Sequence, residues 1–113
     1  MAYNQSQRCK LERKGVRIAK VRIGARKRQN FLAPFDLVTL DKAYEVKTMN
    51  GESKDLKIHI ADSSLKRKLD YAKKYELLPV LMAVVVYPKT GKVEVYQSHL
   101  VQAIRVNQME RIA

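Results

Sequence analysis

The sequence predicts an α/β domain, a mixed sheet sandwiched between helices. Three observations predict it. The run VLMAVVVY at 80–87 is continuously apolar, as a central strand covered on both faces must be. Segments 6–23 and 65–75 space their apolar residues three and four apart, the period of a helix lying on a sheet. The intervening runs are short, β-rich and bounded by turn residues. At 113 residues, with 46% hydrophobic and 30% charged side chains, the chain is long enough for one core and reads as a single globular domain.

The first helix is expected over 6–23, with Cys9, Glu12, Val16, Ala19 and Ile23 on one stripe. Gly15 weakens it by about 1 kcal/mol relative to Ala. A basic connection through Arg26, Lys27 and Arg28 runs to Pro34, which disfavours helix in the residue before it and delivers an extended chain. Strands are expected over 35–40 and 43–49, joined by a tight turn at Asp41-Lys42. Asn50-Gly51-Glu52-Ser53 is a turn, and LKIHIA at 56–61 is a third strand. Asp62-Ser63-Ser64 offers an N-cap to a second helix whose buried side carries Leu65, Leu69, Ala72 and Tyr75, and Pro79 closes it. The strand at 80–87 follows, then a PKTGK hairpin turn and a strand over 92–97. Residues 98–113 form a tail in which LVQAIRV suits a short strand or a helix. The expected order is thus αβββαββ, with the first three strands antiparallel and a right-handed crossover from the third strand through the second helix to the fourth.

Charge narrows the partners. Twenty-three Lys and Arg against eleven Asp and Glu give +12, a field that favours a polyanion, nucleic acid before membrane surface. One cysteine excludes an internal disulfide, and with two isolated histidines it makes a zinc site improbable. The first twenty residues lack a signal-peptide core and no run of eighteen apolar residues occurs, so the chain is expected to be cytoplasmic. Lys89-Thr90-Gly91-Lys92 lacks the first glycine of a phosphate loop and is a hairpin turn.

FDLVTLDKAYEVKTM, from Phe35 to Met49, places acids and a lysine within strand-like sequence. Burying an unpaired charge costs several kcal/mol, so their presence needs a reason. With a two-residue turn at Asp41-Lys42, Asp36 opposes Lys47 and lies diagonal to Glu45, all on one face. Two carboxylates so placed could hold one divalent cation, with Lys47 beside it and the anion it binds. Mg²⁺ suits such a site, since it takes few protein oxygens and completes its shell with water and phosphate. A one-residue slip would turn Asp36 to the other face.

The pattern Asp36 … Glu45-Val46-Lys47 resembles the signature of the PD-(D/E)XK nuclease superfamily, an acid on one strand and Glu/Asp-x-Lys on its hairpin partner. The helix–three-strand–helix–strand order over residues 6–97 is similar to that restriction-endonuclease-like fold, and small phage-type and Holliday-junction-resolvase-like domains are the nearest in texture. Pro34 stands two residues before Asp36 here, where the motif has it directly before. The resemblance implies a metal-dependent DNA endonuclease in which Asp36, Glu45 and the Val46 carbonyl bind Mg²⁺, with Mn²⁺ as a substitute. Lys47 would act on the attacking water or the transition-state charge, and products would carry 5′-phosphate and 3′-hydroxyl ends. It also suggests Glu12, on the first helix, as a further metal or water ligand; the alternative is a surface Glu paired with Arg8 or Lys20. The Gln-x-x-x-Tyr motif of some relatives is absent, since Arg67 stands four residues before Tyr71. His59, with Lys57, is weighed between a site role and a structural one. Arg13, Arg17, Arg26, Lys27, Arg28, Lys57 and Arg67 are the candidate DNA contacts, while Lys66, Lys68, Lys73 and Lys74 read as solvated extensions of the basic surface. The expected substrate is duplex or branched DNA, cut structure-selectively or with weak sequence preference, by a protein that could pair as a homodimer. The rival readings are a basic nucleic-acid-binding module without chemistry and a phage assembly domain.

Overall fold

A computed structural model describes residues 11, 13–20, 26–27 (backbone) and 34–113. Its centre is the apolar run, which forms strand β5 (Leu78–Tyr87) and is buried on both faces over most of its length. β5 pairs in parallel with β3 (Lys42–Asn50) and antiparallel with β6 (Lys92–His99), making a mixed sheet. Short strands β1 (Arg26–Lys27) and β2 (Leu37–Val38) extend it on one side, and β8 (Glu110–Arg111) on the other, in the order β1-β2-β3-β5-β6-β8.

Alternation along β3 and β5 divides the core between two faces. Even-numbered side chains, including Tyr44, Val46, Met82 and Val84, pack with Val16, Ile18 and Ala19 of helix α1 (residues 13–20). Odd-numbered ones, including Ala43, Leu81, Ala83 and Val85, pack with Leu65, Tyr71 and Ala72 of helix α2 (Asp62–Lys74). Gly15 is the position at which α1 meets the sheet: a Cβ there would lie 1.7 Å from the Thr48 hydroxyl oxygen and 2.8 Å from the Thr48 Cβ. The glycine that costs helix propensity is what lets the helix approach.

Several expectations are corrected. The segment 56–61 does not enter the main sheet; β4 (Lys57–His59) pairs instead with β7 (Ala103–Arg105) in a separate two-stranded ribbon. The parallel crossover therefore starts from β3, and the three antiparallel strands before it are β1, β2 and β3. The hairpin turn is Leu40-Asp41 and not Asp41-Lys42, because Thr39 and Lys42 close it: Thr39 N–H donates to the Lys42 carbonyl at 2.8 Å, and Lys42 N–H to Thr39 Oγ at 3.1 Å. Leu40 consequently stands fully in solvent.

α2 is also rotated from its expected pose. Lys68 and Ala72 are its buried residues, with Leu65 and Tyr71 half-buried, while Leu69 and Tyr75 face solvent. Its N-cap is Ala61, with no side-chain cap, and the Asp62 carboxylate instead accepts from the Gln102 side chain. The helix ends at Lys74, ahead of Glu76 in the left-handed region (φ 54°), and Pro79 lies inside β5. Residues 98–113, expected as a tail, place Leu100, Val106 and Met109 in the core and a short 3₁₀ turn at Val106–Gln108 between β7 and β8. No helix among the described residues is long and apolar enough to cross a membrane.

Candidate active site

Two residues of β3, two residues apart, begin the site. Glu45 and Lys47 project from the α2 side of the sheet, and Lys47 Nζ lies 3.5 Å from Glu45 Oε1. Glu45 is 8% exposed, an unusual place for a carboxylate. Its second oxygen, Oε2, lies 3.5 Å from Nζ of Lys68, which reaches down from α2 and is itself only 9% exposed. Lys68 Nζ also donates to Ser64 Oγ, one helical turn earlier, at 2.7 Å. Among the described residues no buried side-chain nitrogen or oxygen lacks a partner, so the charges are fully accommodated. Breaking one side of such a buried pair costs about 3–5 kcal/mol.

Asp36 enters from the neighbouring strand. Leu37 opposes Tyr44 and Val38 opposes Ala43, two residues away from the expected register. A shift of two keeps the side of each residue, where a shift of one would have reversed it. The regular ladder ends at Leu37, and Asp36 N–H donates to the Tyr44 carbonyl at 3.1 Å. The chain bends at that point: Phe35 packs in the α2-side core and Leu37 in the α1-side core, though in a straight strand they would share a face. The bend turns the Asp36 carboxylate along the edge of β3, where Val46 N–H donates to its Oδ2 at 2.9 Å. Because N–H and C=O of one strand residue point to the same edge, the Val46 carbonyl is directed to the edge that Asp36 occupies. The Phe35 ring meets Tyr71 of α2 with centroids 6.0 Å apart, tying this bend to the helix that carries Lys68.

Electrostatics agree with that proximity. The Glu45 carboxyl is pushed above its ordinary range, by burial first and by the Asp36 charge second, while Lys68 and Lys47 pull it back down. A buried carboxylate whose proton affinity is raised by a neighbouring negative charge gains from a cation placed between the two. The donor set fits Mg²⁺: a half-buried Asp36 oxygen not tied to Val46, the Glu45 carboxylate and the Val46 carbonyl are all hard oxygens. Among the described residues there is no cluster of three or more His, Cys, Asp or Glu that could hold a metal ion.

The remaining sequence candidates are dispersed. Arg13 and Arg17 are exposed on α1, and Arg67 is exposed on α2. Lys57 and His59 stand on the solvent side of the β4–β7 ribbon, outside the sheet that carries Glu45, with Lys57 opposite Arg105. The backbone of Arg26 and Lys27 forms β1. Glu12 and Arg28 lie outside the described residues. A separate cleft of about 430 Å³ is lined by His99, Lys42 and Glu110 among others, and none of Asp36, Glu45, Lys47 or Lys68 reaches it.

Lys68 is the site residue that sequence reasoning missed, since it was grouped with solvated lysines. One signal was available: it falls at i+3 from Leu65 and i−4 from Ala72, on the stripe of α2 that faces the sheet. A comparison with protein-family models finds no match for the chain, and a comparison with curated proteins finds none either.

Proposed function

We propose that the chain is a metal-dependent DNA endonuclease of the restriction-endonuclease-like fold. The observation that carries this reading is the buried Glu45 paired with Lys47 on β3, with Asp36 held against Val46 and near enough for its charge to act on Glu45, which supports the arrangement that the PD-(D/E)XK resemblance implies. The sheet supports it further, because a helix, three adjacent strands, a second helix and a parallel strand follow in the order of that fold.

Asp36, Glu45 and the Val46 carbonyl would hold Mg²⁺ or Mn²⁺. A divalent ion bound there would supply a Lewis acid for the scissile phosphate and make water a better nucleophile. Lys47 is 42% exposed at its side chain, so it can meet substrate while staying anchored by Glu45. Its ammonium would orient the attacking water and offset the charge that develops on phosphorus. Exposed Arg13, Arg17 and Arg67 would bind backbone phosphates, which positions DNA without reading its sequence. The substrate is then duplex or branched DNA cut with weak sequence preference, and a homodimer would bring one site to each strand.

The test incubates plasmid and branched DNA with wild type, Glu45→Gln and Lys47→Ala, with Mg²⁺ and with EDTA. Wild type should cut only with the metal, and both variants should lose about 10²-fold or more of that activity while still binding DNA. A second reading, a basic binding module, is favoured by the two lysines that already neutralise Glu45. Salt-sensitive binding with intact DNA under every condition would select it.

A further inference from the structure

Lys68 is buried where α2 could have placed Leu69, and Leu69 is left 40% exposed instead. A helix that hides an ammonium and exposes a leucine breaks the local rule in both directions, and such breaks gather at functional sites. Its ion pair explains how the burial is tolerated but not why the sheet-facing stripe holds a lysine, because Lys47 already pairs with Glu45.

Resting on the nuclease reading above, we propose that Lys68 is a second phosphate-binding cation of the site. Ser64 and Glu45 hold it in the absence of metal, and a divalent cation that takes the Glu45 carboxylate releases it toward the non-bridging oxygens of the scissile phosphodiester. Charge matching supports this. Asp36, Glu45, Lys47 and Lys68 together are neutral, so a bound divalent ion gives the site two net positive charges. A phosphodiester carries one negative charge in the ground state. Hydroxide attack makes it a dianionic phosphorane: the new oxygen–phosphorus bond forms, and the phosphorus–O3′ bond then breaks. The electron pair leaves on O3′, which takes a proton from water. The negative charge that hydroxide brings passes onto the non-bridging oxygens as the bond forms, and a second ammonium beside those oxygens stabilises it there more than in the ground state, which is what accelerates a reaction. The four-carbon stem gives Lys68 the reach to turn from one oxygen to another.

The experiment compares the full-length wild type with Lys68→Met and Lys68→Gln. The methionine keeps the volume; the glutamine keeps hydrogen bonds to Ser64 and Glu45 without the charge, and thermal melting verifies folding of each. Mn²⁺ affinity is measured without DNA by electron paramagnetic resonance, and single-turnover cleavage of duplex DNA is measured with saturating Mg²⁺. Both variants should bind Mn²⁺ about tenfold tighter, since a competing cation is gone, and cleave about 100-fold slower. That opposite movement is the decisive result, because a merely structural lysine would weaken metal binding and cleavage together. Unchanged or weaker Mn²⁺ affinity, or cleavage at the wild-type rate, overturns the proposal. A wild type inert on DNA overturns the nuclease reading instead, and the Mn²⁺ titration then still decides whether Lys68 guards the carboxylates.

Discussion

Asp36 uses one carboxylate for two purposes. Oδ2 accepts the Val46 N–H, standing in for a ladder bond where the hairpin bends, and its charge acts on Glu45. Asp36→Ala would therefore disturb the sheet edge as well as the charge, whereas Asp36→Asn keeps an acceptor. Glu94 is a contrasting buried acid, 6% exposed, at which every interaction is structural. The Tyr87 and Tyr96 hydroxyls donate to its Oε1 at 2.8 and 3.2 Å, while Arg111 and Lys92 lie 3.0 and 3.5 Å from Oε2. The Tyr87 hydrogen bond, helped by Arg111 and Lys92, holds its carboxyl below the ordinary 4.5 against the opposing effect of burial. A lowered folded value means that the ionised form stabilises the fold above that ordinary value, and that this contribution is lost as pH falls through the depressed one. Glu94→Gln should thus cost about 1–3 kcal/mol at neutral pH in urea melts, with the gap to wild type closing in acid. A gap that stays constant across pH would count against this account.

Among the elements, β5 was legible because nothing but burial on both faces explains eight consecutive apolar residues. The presence of α2 was legible too, yet its rotation was not. An apolar-in rule selects Leu69, and only the ion pair with Glu45, twenty-three residues earlier on β3, turns Lys68 inward. The hairpin shows the same limit. Its strands and their antiparallel pairing were legible, but the register depended on Thr39 and Lys42 closing the turn, a choice local propensity does not make, and the bend at Asp36 left no mark in the alternation. β4 was legible as a strand but not its partner, because β7 lies more than forty residues on. At this scale α1 gives the sharpest test. Gly15→Ala should lower stability by about 1–3 kcal/mol, because the added methyl meets Thr48 and must push the helix off the sheet. Thermal melts of the double variant with Thr48→Ala should recover part of the loss. Stabilisation by Gly15→Ala, as helix propensity alone would give, would refute the close approach.

Over the whole molecule, the sequence carries an excess of twelve positive charges, and among the described residues Arg13, Lys14 and Arg17 are exposed on α1 and Lys66, Arg67, Lys73 and Lys74 on α2. Binding to DNA should be dominated by release of counterions. For six to ten neutralised phosphates, affinity should fall about 10³–10⁵-fold between 50 and 200 mM salt, as read by fluorescence anisotropy. A shallow slope would show that the charge serves solubility. The parallel pairing of β3 with β5 has a consequence for synthesis of the chain. Lys68 is held over Glu45 only once the polypeptide has looped back and laid β5 alongside β3. A ribosome that has made the Asp36–Lys47 hairpin has made the reagents without the vessel. Whatever chemistry the cluster performs stays latent until the middle of the sheet has emerged and closed.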